Sequence, residues 1–307
     1  MFAILVVAGV SAGHAQVRQA HSVAVVARYR DAAARALGAE LEPLLGKALA
    51  RYSALFGGPA KDSSGKALDS VIVDVASGRV GAGESDAGVI RLTVGARPVF
   101  GFYDWRLTLL HEAFHLWSAE TFRYAAGKEE WFNEGTAEFY ALQAAGAFSV
   151  LDPPRVASTA ATLAGFYTTS TDLGSLSLRE AGTTPQLKAD HYFLVYDGGF
   201  SAALVLDHDI RAGTGNTKSL DDLMRWLYTH CDRDEHPYSE STLLAGLKET
   251  VGVEYDEFFF RFIDGHSMVP VSNLGLGAAS RALTGRSDQA GHESPPDPIL
   301  MASLGLK

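Results

Sequence analysis

The chain has a single cysteine, Cys231, among its 307 residues, so no intrachain disulfide can form. A cysteine-rich zinc module is excluded with it, and any zinc would have to be held by histidine and carboxylate. Positive charge is also short: 26 Lys and Arg stand against 36 Asp and Glu, a formal net charge of -10. A phosphate backbone needs a basic face, which argues against nucleic acid as the main partner. Long apolar runs are missing. Phe2 to Val10 is too short to span a bilayer, and no other segment reads as transmembrane.

What is present is ordinary for a soluble globular protein: 47% apolar and 20% charged residues, on a chain long enough to bury a sizeable core. Phe2 to Val10 has the length of a signal-peptide core, and Gly13-His14-Ala15 before Gln16 is a small-residue cleavage site. No Lys or Arg precedes Arg18. Residues 1–16 read as a signal peptide of an exported protein, periplasmic or secreted; a buried first strand is the alternative.

Along the chain, 21–28 is valine-rich and reads as a strand, followed by a helical stretch from Asp31 to about Phe56. Asp31 is an N-cap candidate, Pro43 a kink candidate, and Gly57-Gly58-Pro59 the stop. Short strands are expected at 71–75 and 89–94, with a glycine-rich loop, 78–88, between them. From Trp105 the pattern turns helical, over 105–119, 133–146, 156–167, 190–212, 218–230, 240–250 and 254–264. The division expected is a small α/β part over 17–100, a helical part over 101–272 and a loosely ordered tail over 273–307.

The chemistry centres on His111-Glu112-Ala113-Phe114-His115. Residues four apart share one face of a helix, so both imidazoles can reach one ion. Glu112 sits beside them, free to act on a water without ligating. A catalytic zinc needs three protein ligands and one open position. A second acidic motif supplies the third ligand: Trp131-Phe132-Asn133-Glu134-Gly135-Thr136-Ala137-Glu138, with eighteen residues between His115 and Glu134. Asn133 reads as an N-cap, and a helix returning beside the first would present Glu134 to the same ion. Glu138, one turn on, can orient a ligating imidazole.

HEAFHLW followed by WFNEGTAEFY resembles the gluzincin metallopeptidases, in particular the glycyl aminopeptidase family and, more distantly, the alanyl/leucyl aminopeptidase family. The likeness runs over about 105–270, through the segment from Val195 to Leu204, SLDDLMRWLY and VGVEYDEFFFRFIDG. The resemblance implies His111, His115 and Glu134 as ligands of one zinc per chain, Glu112 as general base, and Tyr196 as donor to the oxyanion. The chain departs from the family's Tyr-x-Lys-Gly pattern at Gly198, where lysine is usual. Gly81-Ala82-Gly83-Glu84-Ser85 is similar to the Gly-x-x-Glu segment whose glutamate binds a substrate amine, although a solvated loop carboxylate is the favoured reading of Glu84. The glycyl aminopeptidases carry a large N-terminal β domain, whereas about a hundred residues precede the motif in this sequence.

The expected fold is α+β with a thermolysin-like arrangement: a small strand-bearing lobe, a larger helical lobe, and zinc in the cleft between them. Strand 89–94 is expected at the edge of the cleft, binding a peptide or protein substrate by strand addition. The expected activity is zinc-dependent peptide hydrolysis, with aminopeptidase and endopeptidase both open. The alternatives are a peptide-binding protein that keeps zinc without turnover, and a non-peptidase zinc hydrolase.

Overall fold

The computed structural model describes residues 23–98, 103–284 and 296–306. The signal-peptide reading of 1–16 lies outside them. The N-terminal part runs β1 (Ala24–Tyr29), α1 (Ala32–Ala36), α2 (Gly38–Phe56), β2 (Ser70–Gly78), β3 (Ala82–Asp86) and β4 (Val89–Gly95). Next come α3 (Trp105–His115), α4 (Glu130–Ala147), α5 (Pro153–Thr168), α6 (Leu178–Ala181), α7 (Pro185–Asp190) and α8 (Gly199–Gly213). The chain ends with α9 (Leu220–His230), α10 (Glu240–Val251), α11 (Asp256–Phe258), α12 (Leu276–Thr284) and α13 (Pro298–Ser303). π-helical stretches follow α3 (Leu116–Thr121), precede α8 (Leu194–Gly198) and follow α11 (Phe259–Ile263). Among the described residues no helix is long and apolar enough to cross a membrane.

The sheet has the order β1-β2-β4-β3, with β1, β2 and β4 parallel and β3 antiparallel to β4. Period-two alternation sends Val71, Val73, Val75, Ile90 and Leu92 into the core. β3 and β4 pack against α3, and β2 packs against α1. The stretch 78–88, read from sequence as a loop, contains β3. Its turn residues, Ala87 and Gly88, both have positive φ (51° and 74°) and join Asp86 to Val89 in a two-residue hairpin. The edge strand is therefore β3 and not 89–94, which lies between β2 and β3. β3 has no apolar side chain larger than alanine, so hydrophobic alternation could not reveal it.

α3 is held down by aromatic packing. Trp117 stacks on Phe56 at 5.7 Å and 5°, and its indole N–H donates to Gly58 O. The Tyr52 hydroxyl donates to Leu110 O. α4 runs through the centre of the molecule, and every residue from Trp131 to Ala145 is buried.

Several expected boundaries move. The helix over 31–56 breaks at Leu37 and passes through Pro43 without interruption, while Asp31 does cap α1 by accepting from Ala34 N. α4 starts at Glu130, so Asn133 is not its cap; the buried Asn133 amide oxygen accepts from Ser118 Oγ instead. The single helix expected over 190–212 is α7, a π-helical stretch and α8. Phe258 and Phe259 are core, but Phe260 is 72% exposed. The tail read as loose holds α12, packed on α5, and α13, packed on α8 with Leu300 and Leu304 buried. Residues 285–295 of that tail lie outside the described residues.

Candidate metal centre

α3 puts His111 and His115 one turn apart, and α4 crosses it with Glu134 facing them. His111 Nε2 and His115 Nε2 are 2.9 Å apart. Glu134 Oε2 lies 3.0 Å from the first and 3.3 Å from the second. All three residues are buried, and their ligand atoms fall within 4.8 Å of one another. Donors bound to one zinc at about 2.0–2.2 Å stand about 3.3 Å from each other, so this set of two imidazoles and a carboxylate fits zinc. A second convergent group, Asp232, Glu235 and His236, is mostly exposed, and Asp232 spends its oxygens on the N–H groups of 234–236 and the His236 ring.

Polar groups stand behind the candidate ligands. His115 Nδ1 is 3.2 Å from Ser118 Oγ, which donates to Asn133 Oδ1. His111 Nδ1 is 3.5 Å from Glu138 Oε1, and the other Glu138 oxygen accepts from the Tyr103 hydroxyl at 2.8 Å. Glu138 thus stands beside the ring nitrogen of His111 that faces away from the convergence point, at a distance longer than a hydrogen bond. Burial alone would raise Glu134, but His115, His111 and Lys188 hold it well below the usual carboxylate range, ionised as a ligand must be. Burial alone would likewise lower His111; Glu134 and Glu138 hold it well above its usual range.

Glu112 projects beside the ligands, and burial pushes its carboxyl up. β3 lies directly over it: a β-carbon at Gly83 would come 2.6 Å from Glu112 Cγ and Oε1. Glycine lets the edge strand approach the candidate base this closely. Gly88 N donates to Glu120 Oε2 at 2.8 Å, fixing the hairpin to the π-helical stretch that follows α3.

β3, α3, α4 and the chain from Lys188 to Asp197 enclose a cleft of about 540 Å³. Tyr196 lines it, with its ring 6.2 Å from that of His111 and stacked on Tyr192 at 4.1 Å. Burial, then the nearby Glu134 and Glu112, push the Tyr196 phenol well above its usual range, so it keeps its proton and can donate. Glu84 reaches the rim from an edge strand, not a loop, and its carboxylate pairs with Arg91 at 2.5 Å.

Four contributors had no motif to announce them: Tyr103, Ser118, Lys188 and Asp197. Lys188 Nζ donates to Glu134 Oε1. Asp197 is buried in the cleft wall, with its carboxyl pushed up to about 8 by burial.

No protein-family model and no curated protein matches the chain. Solved structures do. An aminopeptidase N family protein from Idiomarina loihiensis superposes with a TM-score of 0.65 at 16% identity, covering 84% of this chain and 48% of that one. A two-domain M1 zinc metallopeptidase bound to L-arginine gives 0.55 at 18%, covering 81% and 50%. An M1 zinc metallopeptidase from Deinococcus radiodurans gives 0.53 at 19%, covering 75% and 46%. The chain thus spans about half the length of these proteins, and the likeness is one of fold.

Proposed function

We propose that this chain is a zinc-dependent metallopeptidase. The reading is carried by one observation: His111, His115 and Glu134 converge on a point in a cleft wall with Glu112 beside them and a peptide-sized groove in front. Bound zinc would supply a Lewis acid that polarises a carbonyl and acidifies water. The remaining steps belong to side chains. Glu112 takes the proton of the attacking water and returns it to the leaving amine. Its burial, which raises it, suits both halves of that exchange. The protonated Tyr196 phenol donates to the oxyanion as it develops. Glu138 and Ser118 keep the two imidazoles in register.

The edge of β3, unpaired among the described residues, can take an extended peptide by strand addition, in place of the strand 89–94 first expected there. Glu84 pairs with Arg91 through one oxygen and has a second to offer a substrate amine; where the substrate is cut separates aminopeptidase from endopeptidase action.

The deciding experiment measures bound metal in the wild type and in Glu134→Ala, with hydrolysis of a mixed peptide library, with and without a chelator. One zinc per chain, lost in the variant, with chelator-sensitive cleavage is expected. Zinc without any cleavage would favour a peptide-binding protein, and no zinc after reconstitution would sink the reading.

A further inference from the structure

Among the described residues that line the cleft, Lys188 is the one lysine or arginine, and its ammonium faces Glu130 and Glu134. It stands on α7, none of whose residues is buried, yet its ammonium reaches inward. Nζ lies 2.6 Å from Glu134 Oε1 and 2.5 Å from Glu130 Oε1, and 5.3 Å from the centre of the Tyr196 ring. The two oxygens of Glu134 therefore have different partners. Oε2 faces the imidazoles, and Oε1 faces Lys188.

We propose that Lys188 is a positioning residue that confines Glu134 to one-oxygen ligation and so keeps the fourth metal position open; this rests on the metal-centre reading above. A carboxylate beside zinc can ligate through one oxygen or both, and a second oxygen would occupy the place a water needs. A charge-assisted hydrogen bond holds Oε1 away from that place and fixes the carboxylate plane. The same ammonium keeps Glu130 and Glu134 from facing each other unscreened, with side chains only 12% and 7% exposed. Removing it frees Glu134 to rotate toward the ion.

Lys188→Met and Lys188→Arg, each loaded with cobalt(II) in place of zinc, provide the test. Tetrahedral cobalt absorbs visible light more strongly than five-coordinate cobalt. Lys188→Met is expected to lose about half or more of the visible absorptivity as Glu134 becomes bidentate. Its zinc affinity is expected to fall about tenfold. Lys188→Arg, which keeps the charge and the donors, is expected to retain the wild-type spectrum. Removing the partner of two nearly buried carboxylates is expected to lower the melting temperature of the Met variant; if too little of it folds, the arginine variant and Lys188→Gln are read instead, and Gln is expected to fall between the two. A Lys188→Met protein with wild-type spectrum and affinity would overturn the inference. So would tighter zinc with an unchanged spectrum, since Lys188 would then act only as a like charge. A wild type that binds neither metal would overturn the metal-centre reading itself.

Discussion

Gly135 and Gly199 touch backbone to backbone where α4 crosses α8. A β-carbon on Gly135 would fall 2.1 Å from the carbonyl carbon of Gly199, and one on Gly199 would fall 2.1 Å from Trp131 O. The glycine after the candidate ligand Glu134 and the second glycine after Tyr196 are thus one feature. Their contact brings the ligand helix against the segment that carries the candidate oxyanion donor.

Gly135→Ala is expected to destabilise the fold by about 3 kcal/mol, because backbone and not a flexible side-chain end stands in the way. Gly165→Ala is the control. It lies in α5 with nothing within 4 Å of its would-be β-carbon, and is expected to gain about 0.5 kcal/mol. Denaturant unfolding measures both, and equal midpoints for the two variants would remove the helix-crossing account.

Tyr196→Phe is expected to lower kcat by about 100-fold with KM little changed, since the phenol would act only on charge that develops in the transition state. Glu112→Gln is expected to cost about 1000-fold through loss of the proton carrier. Both should keep their zinc, because neither is a ligand. Steady-state kinetics with metal analysis decides the matter, and a Tyr196→Phe enzyme of wild-type kcat would strip that residue of its role.

Asp197 makes stability depend on pH. Burial moves its carboxyl from 3.8 to about 8, so the folded protein holds this proton more tightly than the unfolded chain. The stabilisation is complete below about pH 4 and is lost as pH rises through about 8. Asp197→Asn cannot ionise, and its stability relative to wild type is expected to rise by about 3–5 kcal/mol between about pH 5 and pH 9. Unfolding curves at several pH values test this, and parallel pH dependences for the two proteins would show that the carboxyl does not stay protonated.

The sequence by itself determined the elements whose chemistry is local. Helical spacing put His111 and His115 on one face, and the placement of Glu134 followed from a motif within reach of them. The cap at Asp31 is a short-range hydrogen bond, and the structure has it. The tertiary structure decided what depends on packing. β3 carries no hydrophobic alternation, and its existence rests on pairing with β4 and on the Ala87-Gly88 turn. Asn133 gave up a cap for a partner fifteen residues away, Ser118. Lys188, Tyr103 and Asp197 reached the cleft through contacts between elements distant in the chain. A lysine in a polar segment looks the same in sequence whether it points to solvent or to a buried glutamate, because periodicity reports only the neighbours a residue has along its own helix or strand.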